Sequence, residues 1–318
     1  MAPYNQSFLK LRQAVRANLK SVSGVVLLGV SGGPDSMALA AAVLTEMDGK
    51  RVIPVVVDHG LQENSAEISK MVVARLEKLG FKEVFTSRAH VELKDGLEAS
   101  ARRARYKIFK QAIDAYGAEI FLLAHTKNDQ AENVLLGLAR GSGTRSLAGM
   151  REHNGIFHRP FLEITKEEIN QACEEIGLEI WSDPHNDNLE FKRVLVRKES
   201  LPKLEKDLGP GIIDALARSA RIMGEDADAL DHWANQVIGE IGVNNLEVSK
   251  LSELPKAVRS RVLRSAIYAA GAPEGSITSE HLKPVEALIT AWDGQGECAL
   301  PGGVKVSRIS GRITLSHQ

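Results

Sequence analysis

Apolar positions along this chain follow two periods. From Val25 to Val30, and again from Val52 to Val57, nearly every residue is apolar, the pattern of parallel strands covered on both faces. Glu83 to Ala89, Ile120 to Ala124 and Ile156 to Arg159 are shorter strand candidates. Between them the spacing turns helical. Phe8, Leu11, Val15 and Leu19 recur at three and four, Met37 to Met47 is apolar and alanine-rich, and Glu67 to Leu79 runs to a stop at Gly80. Gly96 to Tyr116 carries Leu97, Ala101, Ala104, Ile108, Ala112 and Tyr116 along one stripe, and another helix follows His125 to Asp129 and ends at Arg140. Thr165-Lys166-Glu167-Glu168 is a capping box that opens a helix stopping near Gly177. Strand and helix alternate, which predicts an α/β fold with a parallel sheet and helices on both faces.

Elsewhere the pattern is looser. Gly141 to Met150 is a Gly/Ser loop, Trp181 to Asn188 a polar loop containing proline, and Phe191 to Leu204 a basic amphipathic helix. Gly209-Pro210-Gly211 marks a boundary, beyond which Ile212 to Ile241, Pro255 to Ala270 and Ser279 to Trp292 all read helical. Ala299 to Leu315 alternates around Ser310-Gly311 as a hairpin, with Val304, Val306, Ile313 and Leu315 on one face. Two domains are expected, residues 1–210 and a mostly helical 211–318.

Composition changes this picture little. The 318 residues are 43% hydrophobic and 25% charged, ordinary for a globular chain able to bury a core. No run approaches bilayer length, and Met1 to Lys20 has neither a long apolar region nor a cleavage signal, so a cytoplasmic protein without a membrane partner is expected. Cys173 and Cys298 lie far apart with no C-x-x-C, which indicates packing residues rather than a cluster, zinc or disulfide framework. A net charge of −1 does not announce a nucleic-acid partner, so any such surface must be local.

The chemistry concentrates where strands end. After Val30 the chain reads Ser31-Gly32-Gly33-Pro34-Asp35-Ser36. A strand, a glycine turn and a helix opening on proline aim free backbone amides and the positive end of a helix dipole at one spot, which suits a phosphate. The turn lacks the lysine of G-x-x-x-x-G-K-[ST], and Ser31 breaks the second glycine of G-x-G-x-x-G. Asp35 would repel a phosphate unless a cation stood between, which points to Mg²⁺ and a nucleotide. Asp58 with His59, and His125 to Asp129, follow two further strands, and in open α/β sheets such clusters meet outside the strands' carboxyl ends.

The turn resembles the SGGxDS pyrophosphate loop of the N-type ATP pyrophosphatases, the PP-loop enzymes that cleave ATP to AMP and pyrophosphate. Other segments are similar to those of tRNA(Ile)-lysidine synthetases: Val57 to Leu61 to their VDHGLR, Glu98 to Arg102 with Arg105-Tyr106 to their EAxAR-xx-RY. Ala124-His125 with Asp129 to Glu132 and Arg140 to Gly143 is similar to their AHHxDDQAET and RGSG, and Arg159-Pro160 and Trp181 to Asn186 to segments further on. The likeness covers about residues 25 to 205. It departs at Thr126, Asn128 and Asn133, which stand for His, Asp and Thr, and at Val194, where R-N-x-x-R loses its asparagine between Arg193 and Arg197.

That resemblance implies a PP-loop ATP pyrophosphatase domain followed by a helical substrate-recognition domain ending in a short hairpin. It implies a ligase that uses ATP to adenylate the C2 oxygen of the wobble cytidine in a tRNA(Ile) with a CAU anticodon, after which the ε-amine of L-lysine displaces AMP. Ser31, Gly32, Gly33, Pro34, Asp35, Ser36, Asp58 and His59 would bind ATP and its pyrophosphate, with Asp35 also on Mg²⁺. Asp35, His125 and Arg193 form the implied catalytic set, and Asp129 and Glu132 seat the lysine. Arg102, Arg105, Tyr106, Arg140, Asn186 and Arg197 are the implied tRNA or substrate contacts. A homodimer is compatible with this scheme.

Plainer readings stand beside these. Asp129 and Glu132 also suit first-turn acids on a helix dipole, and His59 and His125 suit structural histidines. Arg102 to Lys110, Arg140 to Arg151 and Lys256 to Arg264 are acid-free basic stretches that serve either RNA phosphates or solvent. Tyr106, Phe157, Trp181 and Phe191 could stack an extruded base or pack in the core. A tRNA thiolase of the same superfamily and an ATP-sensing module without turnover are the rival functions; the thiolase would need cysteines near the sheet's carboxyl end.

Overall fold

The protein is represented by a computed structural model that describes residues 6–60, 64–92, 96–179 and 188–317. It falls into two compact units, Met1–Arg221 and Ile222–Gln318.

The first unit is built on a six-stranded sheet. Its strands are β1 (Val25–Val30), β2 (Val52–Asp58), β3 (Phe85–Arg88), β4 (Ala118–Leu122), β5 (His153–Asn154) and β6 (Phe157–His158), in the order β3-β2-β1-β4-β6-β5. All neighbours are parallel except β5, which pairs antiparallel with β6. Helices α1 (Gln6–Leu19), α2 (Pro34–Glu46), α3 (Ser65–Leu79), α4 (Leu97–Tyr116), α5 (Lys127–Ala139), α6 (Thr144–Leu147) and α7 (Lys166–Glu175) surround it.

Strand β1 shows why the apolar run is continuous. Val26 and Leu28 join one core with Leu11, Met37, Leu39, Leu76 and Phe161, while Leu27 joins the opposite core with Ile53, Ile108, Phe109 and Phe121. Both faces are covered, and each fully buried aliphatic or aromatic side chain contributes about 1.5–3 kcal/mol. The first strands build outward from β1 through β2 to β3, and β4 then adds on its other side. That reversal leaves a crevice beyond the carboxyl ends of β1 and β4.

Two expected elements came out differently. The Gly141–Met150 loop contains the four-residue α6, too short to show a period. The expected helix from Phe191 to Leu204 is three pieces: α8 (Lys192–Leu195), a π turn over Val196–Ser200, and α9 (Leu201–Leu208). A π turn leaves no mark on apolar spacing, and such insertions are frequent at functional sites.

The second unit is mostly helical, as expected, with a small sheet beside the helices. It contains α11 (Val248–Glu253), α12 (Lys256–Ala269) and α13 (Ser279–Thr290), with a four-stranded antiparallel sheet in the order β7-β10-β9-β8. The expected hairpin is its centre, β9 (Val304–Ile309) and β10 (Arg312–His317), turned by Ser310 and Gly311 at φ 49° and 75°. Positive φ at both positions matches the twist of the flanking strands. The flanking β7 (Asn245–Glu247) and β8 (Cys298–Ala299) are three and two residues long, below what alternation can reveal. The division between the units lies inside α10 (Ile212–Ile241), beyond the Gly209-Pro210-Gly211 turn where the domain boundary was expected.

Of the basic run Lys256 to Arg264, Arg259 is buried against Glu286 at 2.8 Å and Arg261 meets Asp231 at 2.6 Å. Half of the basic side chains in that stretch are therefore paired inside their own unit. No helix among the described residues is long and apolar enough to cross a membrane.

Candidate active site

The turn after β1 is made almost wholly of backbone. Gly32 sits at φ 88°, and a side chain there would run into Val72, so both the dihedral and the space demand glycine. Ser36 Oγ donates to the Gly33 carbonyl at 3.0 Å and accepts from the Ser31 amide at 3.2 Å, closing the turn on itself. Gly33 caps α2 with extended dihedrals and no side-chain bond, and Pro34 follows at the first helical position. The amides at this helix start therefore have no side chain of the cap filling them.

A cavity of about 900 Å³ opens over the turn. The three strand-end clusters meet there: Ser31 and Gly33 to Ser36 from the first, Asp58 and His59 from the second, His125 and Asp129 from the third. Arg105, Tyr106, Lys166, Phe191, Arg193 and Arg197 complete much of the wall. Convergence of residues so far apart follows from the parallel sheet, whose carboxyl ends share one edge.

Charge in the cavity is arranged in opposed pairs. Burial pushes the Asp35 carboxyl up, and Lys166, whose Nζ lies 3.6 Å from Oδ2, pulls it partly back. The other oxygen, Oδ1, is buried without a hydrogen-bond partner among the described residues. Burial also works to raise Asp129, but Lys166, His125 and the Thr126 amide together hold its carboxyl below the usual range. Its Oδ2 accepts from the Thr126 amide at 2.8 Å and the Thr126 hydroxyl at 2.9 Å, and Arg197 stands 3.7 Å from Oδ1.

Burial drives His125 down to about 3, against the pull of Asp129, so the ring is neutral at pH 7; its Nδ1 has no partner among the described residues. His59 is lowered by burial and then by Arg105, and its Nδ1 is likewise unpartnered there. Asp58 accepts from the Gly60 amide at 2.8 Å, shaping the end of β2.

Glu132 departs from its expected place. It is 0% exposed, and its carboxylate is filled by two arginines: Arg197 Nε at 2.6 Å and Nη2 at 3.0 Å, and Arg193 Nε at 3.0 Å. It does not line this cavity, and both of its carboxylate oxygens accept from guanidinium groups. Its work is to hold two guanidinium groups that do line the cavity.

The positions departing from the family pattern all have structural duties. Thr126 closes a capping box on α5 with Asp129. Asn128 Oδ1 accepts the Lys166 amide at 2.9 Å, tying α5 to α7, and Asn133 Oδ1 accepts from Arg193 Nη2 at 2.7 Å. Val194 is buried and lines the cavity.

The remaining expected contacts are scattered. Arg102 is exposed, with its guanidinium 5.0 Å over the Tyr106 ring. Tyr106 itself packs against Phe109 and Phe157, and Phe157 is an aromatic-core residue beside Phe121 rather than a platform. Arg140 is exposed at the carboxyl end of α5 and does not line the cavity. Asn186 and Trp181 lie outside the described residues. In the sequence Lys166 stands out only as part of a capping box, because nothing in the spacing announces that the start of α7 reaches Asp35.

A glycine turn and a helix start without a side-chain cap at the switch point of a parallel sheet, with an aspartate in the first helical turn, fit an α/β nucleotide-binding protein, and the match to the PP-loop domain makes it an ATP-utilising PP-loop protein. The PP-loop domain model matches residues 4–204 and the TilS substrate binding domain model residues 246–314. Similar full-length relatives are the tRNA(Ile)-lysidine synthases of Thermobifida fusca, 45% identical with 96% of each chain covered, and of Streptomyces coelicolor, 47% identical with 92% of this chain and 85% of the relative covered. The chain belongs to the tRNA(Ile)-lysidine synthase family. The fold is shared with the solved U34-tRNA thiolase NcsA of Methanococcus maripaludis, at a TM-score of 0.57 and 18% identity over 69% of this chain and 79% of that one.

Proposed function

We propose that this chain is an ATP-dependent ligase that joins L-lysine to C2 of the wobble cytidine of a tRNA(Ile) bearing a CAU anticodon, acting in the cytoplasm. The observation that carries the reading is the convergence of the turn, Asp35, His125, Asp129 and the Arg193/Arg197 pair on one cavity. The cytidine O2 attacks the α-phosphorus of ATP and pyrophosphate leaves; the ε-amine of lysine then adds to C2, and O2 departs with AMP. Membership of the family supports the substrates, and the geometry supports the division of labour.

The Ser31–Ser36 backbone holds the pyrophosphate end through amides and the helix dipole. Arg193 and Arg197 offset charge developing on the phosphates, at little reorganisation because Glu132 already holds them. Asp129, kept ionised, remains the carboxylate for the incoming ammonium. His125, neutral across the working pH range, offers a ring nitrogen as acceptor and orients rather than carries a full charge. Arg105 and Tyr106 approach the same space from α4 and suit the RNA side, with the second unit as the larger tRNA surface.

Asp35 fits a magnesium ion: a carboxylate whose Oδ1 is buried without a hydrogen-bond partner among the described residues, beside a phosphate cradle, is the donor set that Mg²⁺ uses with nucleotides. Bound there, the ion would neutralise phosphate charge. Among the described residues no group of three or more His, Cys, Asp or Glu could hold a metal ion.

The thiolase alternative finds no support in the cysteines. Cys173 is buried and pushed up to about 11, which disfavours the thiolate, and Cys298 belongs to the other unit. Incubation with ATP, Mg²⁺, bulk tRNA and radiolabelled lysine tests the proposal. Lysine entering tRNA supports it; sulfur incorporation, or ATP bound without turnover, removes it.

A further inference from the structure

The phosphate turn has no lysine of its own, yet the structure brings one to it from 131 positions beyond Asp35 in the chain. Lys166 is the first residue of α7, and its ammonium group lies 3.6 Å from Asp35 Oδ2 at the start of α2. Its position is built rather than accidental. The Lys166 amide is held by Asn128 Oδ1 at 2.9 Å, and Thr165 anchors the helix start through a capping box with Glu168. The side chain is 22% exposed and lines the cavity, and it is the leading attraction offsetting burial at both Asp35 and Asp129.

A cation 3.6 Å from one carboxylate and within electrostatic reach of a second, at the rim of a backbone anion cradle, has neighbours to choose from. With a triphosphate over the turn, a phosphate oxygen presents higher charge density than either carboxylate, and a flexible four-carbon stem lets the ammonium follow it. From this we infer that Lys166 is a nucleotide-binding residue that grips the β- and γ-phosphates from α7, the task a P-loop gives to its own lysine. The inference rests on the cavity being the ATP site.

A substrate that stays intact isolates the contact. Binding of the α,β-methylene analogue of ATP, and of AMP, is measured by calorimetry on the full-length wild type, Lys166→Met and Lys166→Arg. The expected result is analogue affinity about 10- to 100-fold weaker in Lys166→Met, AMP affinity unchanged within about twofold, and partial recovery in Lys166→Arg. Thermal unfolding of each variant confirms that the fold persists. Equal losses for the analogue and AMP, or no loss for either, overturn the inference while leaving the nucleotide site standing. A wild-type protein that binds neither ligand removes the nucleotide reading, and this inference with it.

Discussion

The two halves of the cavity solve the same problem by different means. Around Ser31 to Ser36 the site is made of backbone: a glycine at φ 88°, a helix start without a side-chain cap and one serine closing the turn. Across from it, the site is made of side chains already committed to one another, Asp129 to Thr126 and Glu132 to Arg193 and Arg197. The first half offers groups the fold leaves open. The second offers groups the fold has already paired, with its acids fixing where cations stand.

The largest effect that separates them is at Asp35. Its carboxyl is partly buried and raised by that burial; one oxygen has no hydrogen-bond partner among the described residues while the other meets Lys166, so the group is costly to the fold. Asp35→Ala should lower pyrophosphate release by about a hundredfold to a thousandfold, on the scale of removing one preorganised electrostatic contact. The melting temperature should hold or rise, because a desolvated charge is gone. Retained turnover would take away the metal-binding role.

Glu132 should behave in the opposite way. Removing it leaves two guanidinium groups facing each other without their carboxylate, and Glu132→Ala should cost about 2–4 kcal/mol in denaturant unfolding. That is below the figure for a fully buried pair, because Arg193 and Arg197 keep 24% and 28% of their side-chain exposure. Turnover should fall at saturating lysine as well as at low lysine. A variant that keeps its stability and merely raises the KM for lysine would return Glu132 to the role of amine seat.

This contrast also explains what was legible beforehand. A backbone site must use particular residues in unbroken order, so six consecutive positions disclosed the turn, the helix start and the need for a cation. The sheet was legible for a related reason, since a strand buried on both faces cannot avoid a continuous apolar run. A side-chain site is assembled across distance. Nothing near Glu132 reveals that Arg193 and Arg197 return to it, and nothing near Thr165 reveals that Lys166 reaches Asp35. Thr126, Asn128 and Asn133 looked like losses from a pattern until their partners were visible. The short strands β7 and β8 were hidden by length alone.

His125 gives an intermediate effect, read through pH. Its pKa is held at about 3 by burial, far below the unfolded value near 6.5. Between those values the unfolded chain binds a proton that the folded chain refuses, so stability falls as pH drops below about 6.5. The limiting slope is about 1.4 kcal/mol per pH unit. His125→Gln should flatten the stability profile between about pH 6 and pH 4, where Asp129, itself depressed, contributes with the same sign only lower down. Unfolding curves for the two proteins that stay parallel across that window would mean that the imidazole titrates as freely in the fold as outside it.

The smallest effect tests how Asp129 is held. Thr126 is fully buried and closes α5 from both sides: its hydroxyl donates to Asp129 Oδ2 at 2.9 Å and accepts from the Asp129 amide at 3.3 Å. Thr126→Val keeps the shape and removes both bonds, leaving only the backbone amide on the carboxylate. A lost cap of this kind costs about 1 kcal/mol, and Thr126→Ser should recover most of it. The carboxylate should also titrate higher in the valine variant, since one of the donors favouring its charged form is gone. If Asp129 receives the lysine ammonium, Thr126→Val should therefore raise the KM for lysine several-fold toward acidic pH and much less at pH 8, where the carboxylate is ionised either way. Stability reduced by the expected amount with a pH-independent KM would place Asp129 among the helix-capping acids, and the second half of the cavity would then bind its amine through some other group.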